Sequence, residues 1–167
     1  HHRYLHSFPT RRSSDLLVIH CTATPAGREV RSEEIRRWHT SPPPEGRGWN
    51  QVGYTRLYHI NGGVESLVAN NNDGFVDSWE ITNGVAGKNS ICQHIVYAGG
   101  MTADNKRPFD SRSLAQLASM KRDVQTLHNA FPEVKIVGHN YFDKGKACPS
   151  FDVQKWLKSI GINQTLS

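Results

Sequence analysis

The chain of 167 residues predicts a single α/β domain in which a mixed central β-sheet is flanked by helices. Three observations carry that expectation. Short apolar runs of strand length recur at LLVIH, ICQHIVYAGG and VKIVGH. One long stretch carries apolar residues at steps of three and four, the stripe of an amphipathic helix. Strands and helices mix without a strict alternating repeat, which favours a mixed sheet with helices packed on it. The length suffices for one domain with a real core.

The elements follow in order. LLVIH, residues 16–20, is the first strand. VRSEEIRRWHT comes after a Pro/Gly turn and predicts a helix. Ser32 is its candidate cap, Glu33 and Glu34 suit its positive end, and Ile35, Trp38 and His39 share a face. SPPPEGRGW then breaks it. YTRLYHI and VESLV flank Asn61-Gly62-Gly63, a strong hairpin signal. Residues 69–90 are polar, and a loop that long in a compact domain is usually functional or mobile. Trp79 within it either stacks on a sugar or peptide or anchors the loop to the core. ICQHIVYAGG is a buried strand stopped by Gly99-Gly100. Leu117, Met120, Val124, Leu127 and Phe131 form the stripe of a long helix, which Pro132 ends. VKIVGH delivers His139 at the C-terminal end of a strand. Ser150 is the candidate cap of a last helix with Val153, Trp156, Leu157 and Ile160 on its buried face.

The first residues stand apart. HSFPTRRSSDL, residues 6–16, reads as the translation of a sequencing adapter, so residues 1–16 are treated as a non-native tail. The domain is expected over 17–160 and a C-terminal tail over 161–167. With the true start missing, the sequence does not reveal whether a signal peptide precedes it. The net charge is +5. Arg3, Arg11, Arg12 and Asp15 give +2 of it, which leaves a mildly basic +3 for the rest. That suits a polyanionic surface such as a cell wall and is also ordinary for a soluble domain. No dense Lys/Arg run supports nucleic-acid binding, and no twenty-residue apolar run is present to span a membrane. Cys21, Cys92 and Cys148 make an odd count without paired spacing, which argues against a disulfide framework.

The chemistry concentrates in GHNYFDKGKACPSFD, residues 138–152. It sets His139 and Cys148 nine positions apart, with Lys146 two residues before the Cys. His20 stands far upstream at the end of LLVIH. Two imidazoles and one thiolate are three zinc ligands, one short of a closed site. A hydrolytic site needs that open position for water, so the pattern points to an enzyme rather than a zinc-stapled scaffold. Cys21 and Cys92 are read as packing residues. Cys21 should point away from the metal if His20 points toward it, because strand side chains alternate. His39 is read as structural, and no role is assigned to His59 or His94.

His20, the Ile35–His39 helix, Gly53-Tyr54, Gly99-Gly100 and KACPSFD fall in one order. That order resembles the phage-lysozyme-like N-acetylmuramoyl-L-alanine amidases, relatives of the peptidoglycan recognition proteins. The resemblance implies zinc held by His20, His139 and Cys148, with catalysis assisted by Tyr54 and Lys146. It implies hydrolysis of the amide between N-acetylmuramic acid and L-alanine, with peptidoglycan as the partner. The alternative is a non-catalytic peptidoglycan-binding module; in the recognition-protein relatives, loss of the Cys ligand accompanies loss of activity, and Cys148 is present. Members often have a His directly after the Tyr, where this chain has Thr55, and another near Gly84. A cationic Lys146 would stabilise a developing oxyanion. Tyr54, with an ordinary pKa of about 10, suits a donor better than a base. A monomer is expected. An endolysin would wait in the cytoplasm until lysis, whereas a housekeeping hydrolase would be exported to the wall.

Overall fold

The computed structural model describes residues 12–13, 16–73 and 75–166. Its strands in chain order are β1 (Arg12–Ser13), β2 (Leu16–Cys21), β3 (Thr24–Pro25), β4 (Arg56–Tyr58), β5 (Val64–Ser66), β6 (Phe75–Val76), β7 (Cys92–Tyr97), β8 (Gly100–Met101) and β9 (Lys135–Gly138). Its helices are α1 (Ser32–Thr40), α2 (Leu114–Ala130) and α3 (Val153–Ser159). The main sheet has the order β5-β4-β7-β2-β9. β4, β7, β2 and β9 run parallel, and β5 turns back antiparallel against β4. The sheet is therefore mixed, as the sequence predicts. The hairpin closes around Asn61-Gly62-Gly63 with Tyr58 opposite Val64.

Burial explains the uninterrupted apolar strands. β7 is buried at every residue, and β2 from Leu17 onward, because each lies between two parallel neighbours. Alternation along β2 divides its side chains between two faces. Leu17, Ile19 and Cys21 join the cluster formed with Met120 and Val124 of α2 and Val153, Trp156 and Leu157 of α3. Val18 packs on the opposite face with Val85, Cys92 and Val137, the face that His20 shares by parity. On that side α1 inserts Ile35 against Leu57, Val96 and Ala98. The predicted α2 stripe holds: Met120 and Val124 are buried, with Leu117, Leu127 and Phe131 packed at their edge.

Helix caps and chain ends depart from the sequence reading. α1 begins one residue early. Arg31 is its cap position, and the Glu34 carboxylate accepts the Arg31 N–H at 2.9 Å, so Ser32 does not cap. α2 has a capping box, with Ser113 Oγ accepting from Gln116 N–H and the Gln116 side chain accepting from Ser113 N–H. Asp152, not Ser150, caps α3 by accepting from Lys155 N–H at 3.0 Å. Ser150 adopts a positive φ of 69° and donates its hydroxyl to Gly100 O instead.

The stretch read as a tail after 160 is packed: Ile162 joins the core. Gln164 accepts from Ile136 N–H at 3.0 Å and donates to Gln154. That side chain covers the free edge of β9, which would otherwise expose unpaired backbone. At the other end, Leu16 already belongs to β2, and β1 pairs antiparallel with β6. The remaining residues assigned to the non-native tail, 1–11 and 14–15, lie outside the described residues. Among the described residues no helix is long and apolar enough to cross a membrane.

Candidate metal centre and its groove

Parallel pairing brings the two ligand strands together. β2 and β9 run side by side with Ile19 opposite Gly138, so the next residues, His20 and His139, emerge as neighbours at the same sheet edge. Their ring centroids lie 4.8 Å apart. Cys148 arrives on the segment that loops back after β9. Asn140 N–H donates to Cys148 O at 2.9 Å, and the Tyr97 hydroxyl donates to Pro149 O at 2.6 Å, so both sides of the segment are tied down. The Cys148 sulfur accepts from Cys21 N–H at 3.3 Å and lies 3.8 Å from His20 Nδ1. One ligand atom from each of His20, His139 and Cys148 lies within 4.8 Å of the others. These three residues form a cluster that could hold a metal ion, and two imidazoles with a thiolate are a donor set that suits zinc.

The surroundings favour uncharged imidazoles. Burial first, then the charges of neighbouring histidines and Lys146, push the His20 pKa well down. Burial, then Lys146, lowers that of His139. A neutral imidazole is the form that can donate a lone pair to a cation. The hydrogen bond with the Cys21 thiol and burial hold the Cys148 thiol up, so metal binding there must release a proton.

His20 and His139 of the cluster line a groove of about 500 Å³. Tyr54 and Lys146 both line it, as do His39, Arg47, Trp49 and Lys88. The Tyr54 ring centroid is 5.1 Å from that of His20 and 5.1 Å from that of His39. Burial pushes the Tyr54 phenol above its ordinary range, so it stays protonated near neutrality and keeps an O–H to donate. His39 Nδ1 accepts Gly53 N–H at 2.9 Å, which fixes the backbone just before Tyr54. Burial lowers its pKa to about 4. The structural role expected for His39 holds, although its ring also faces the groove.

Other sequence candidates separate. Thr55 is buried and pins the hairpin through its backbone: its N–H donates to His94 O and its carbonyl accepts from Leu67 N–H. Cys92 packs in the core as expected. Cys21 also packs there, on the face away from His20, while its backbone reaches the Cys148 sulfur. His59 pairs with Glu65 in the hairpin at 3.0 Å. Trp79 is 52% exposed, so it is no plug. Close to it, Glu80 is buried. Burial, then Asp77, raises its pKa to about 7.

The sequence reading missed two sets of residues. His94 is fully buried beside His20, with His20 Nε2 and His94 Nδ1 2.9 Å apart. A histidine inside a fully buried strand was the signal: a buried ring needs partners for both nitrogens. Arg47 and Trp49 come from SPPPEGRGW, read only as a helix breaker. The Arg47 guanidinium stacks over Trp49 at 5.1 Å, and that indole contacts His39.

Comparison with known proteins completes the description. No protein-family model matches the chain. It is 30% identical over 152 residues to the endolysin of Enterobacteria phage K11, covering 91% of each protein. The Ph2119 endolysin from the Thermus scotoductus MAT2119 bacteriophage superposes with a TM-score of 0.65 at 21% identity, over 96% of each chain. The N-acetylmuramoyl-L-alanine amidase LysC from Clostridium intestinale gives a TM-score of 0.65 at 16% identity, over 91% of this chain and 88% of that one. At those identities the two solved structures establish a shared fold.

Proposed function

The chain belongs to the phage endolysin family, and from that premise we propose that it is a zinc-dependent N-acetylmuramoyl-L-alanine amidase acting on peptidoglycan. The observation that carries the reading is the convergence of His20, His139 and Cys148 within 4.8 Å, with both histidines lining the groove. These residues would hold the ion. When bound, zinc supplies a Lewis acid and an activated water at neutral pH.

The chain's own residues do the rest. The groove admits the lactyl–alanine amide with its carbonyl toward the metal cluster. Lys146 brings a cationic ammonium to the side where negative charge develops on that carbonyl oxygen. Tyr54, held protonated by burial, donates a hydrogen bond to the same region and orients the reacting group. His39 acts one step back, by fixing the Gly53 amide beside Tyr54. Arg47 and Lys88 place further positive charge along the groove, complementary to the carboxylates of a stem peptide.

The test is direct. The protein is incubated with purified cell walls, with and without a chelator, and new L-alanine amino groups are measured. Release that stops on chelation and returns with zinc is the expected result. Wall binding without release would replace this reading with that of a recognition module.

A further inference from the structure

We infer that a hydrogen-bond chain from the Val85 backbone amide through Asn89 and His94 locks His20 in the tautomer whose Nδ1 lone pair faces the metal cluster. This makes His94 a positioning residue for a metal ligand. The inference rests on the zinc-site reading above, and it adds two residues that lie outside the ligand set.

The direction of the chain follows from one donor that cannot reverse. Val85 N–H donates to Asn89 Oδ1 at 2.9 Å, which fixes the amide with its oxygen inward. That oxygen also lies 3.1 Å from His94 Nε2. A carboxamide oxygen only accepts, so His94 Nε2 must carry the proton. His94 is fully buried and among the described residues no carboxylate touches it, so its ring is neutral and its Nδ1 is an acceptor. Across 2.9 Å, His20 Nε2 must then be the donor. A neutral His20 protonated at Nε2 has its lone pair on Nδ1, and Nδ1 is the atom that lies 3.8 Å from the Cys148 sulfur. A backbone amide thus dictates, three groups away, which nitrogen of His20 is available.

Packing keeps the chain from rearranging. A Cβ on Gly84 would lie 2.3 Å from His94 Nδ1 and 2.4 Å from its Cγ, so the Gly84 backbone sits flat against the ring and leaves no room for it to turn. Gly84 and Lys88 line the groove on the same loop that carries Asn89. Metal-binding histidines generally donate their second nitrogen to a carboxylate, carbonyl or water. Here a second imidazole fills that place and is itself held by an amide.

The experiment has two arms. In zinc-free protein labelled with 15N at histidine, NMR of the imidazole nitrogens reports the tautomer of each ring. The expected result is His20 and His94 both protonated at Nε2; His20 protonated at Nδ1 overturns the inference without any variant. In the second arm, zinc affinity is measured by competition with a chromophoric chelator, with folding checked by thermal unfolding. His94→Leu leaves His20 Nε2–H without an acceptor and should weaken zinc binding about 10–100-fold. His94→Gln can accept from His20 and donate to Asn89, and should keep affinity within about threefold, because the hydrogen bond rather than the ring is what matters. Parent affinity in a folded His94→Leu, or equal losses in both variants, overturns the inference. Should the parent bind no zinc, the functional reading fails, while the tautomer measurement still decides the relay.

Discussion

One wall of the groove rises from the C-terminal ends of β2 and β9 and the Cys148 segment. The other is made of α1, the Trp49 segment and the loop bearing Gly84 and Lys88. The first wall is anchored in the sheet. His20 is almost fully buried, and the Cys148 segment is held by hydrogen bonds from Asn140 and Tyr97. The second wall is held by the buried Ile35 of α1, by backbone hydrogen bonds from Arg47, Gly48 and Trp49 to the carbonyls of Trp38, Ser41 and His39, and by contacts such as Gly53 N–H to His39 and Arg47 over Trp49. On the proposed function, the sheet-anchored wall carries the bond-breaking chemistry and the helix-and-loop wall the grip on substrate.

Substitutions in each wall test that division. Cys148→Ser removes the soft ligand and is expected to abolish wall hydrolysis and zinc binding together, read by amino-group release and metal analysis. Lys146→Ala should keep zinc but lose about 10²–10³ in kcat, the usual cost of one oxyanion donor; turnover at the parent rate would remove Lys146 from the chemistry.

The helix-and-loop wall responds mainly through stability. His39 titrates near 4 in the folded chain against 6.5 unfolded. The unfolded state therefore binds more protons between those values, and stability falls as pH drops from about 6.5 to about 4. His39→Asn keeps an acceptor for Gly53 N–H without the titration, and should flatten that part of the slope in urea unfolding. Gly84→Ala drives a methyl into the His94 ring and should cost about 1–3 kcal/mol by the same measurement. Arg47→Ala is the mildest: KM should rise by less than about fivefold with kcat unchanged, as for one exposed charge. A kcat loss for Arg47→Ala equal to that of Lys146→Ala would erase the distinction between the walls.

The sheet-anchored wall was the legible one. His20 and His139 end apolar strands, and Cys148 lies within a compact motif, so short-range pattern was enough to pair them. The hairpin at Asn61-Gly62-Gly63 and the α2 stripe were visible for the same reason, since turn chemistry and period are local. His94 was not, because its role depends on the β2–β7 register, which sets Val18 opposite it and His20 two residues on. Arg47 and Trp49 sat in a segment that reads as a break in structure, and only tertiary packing turns them into a groove wall. Caps went astray where two polar candidates stood close together: Asp152 displaced Ser150 because Ser150 is drawn off to Gly100. Gln164 was unreadable, since nothing local announces that a glutamine will substitute for a missing strand.

His20 and Cys148 stand 128 positions apart in the chain. Bringing them together requires the non-local β2–β9 pairing, whose loop-closure entropy is met before the site can form. A cation captured by all three side chains would favour only the fully folded form, and by mass action would raise the unfolding midpoint as its concentration rises. The melting temperature would then serve as a titration curve for the site.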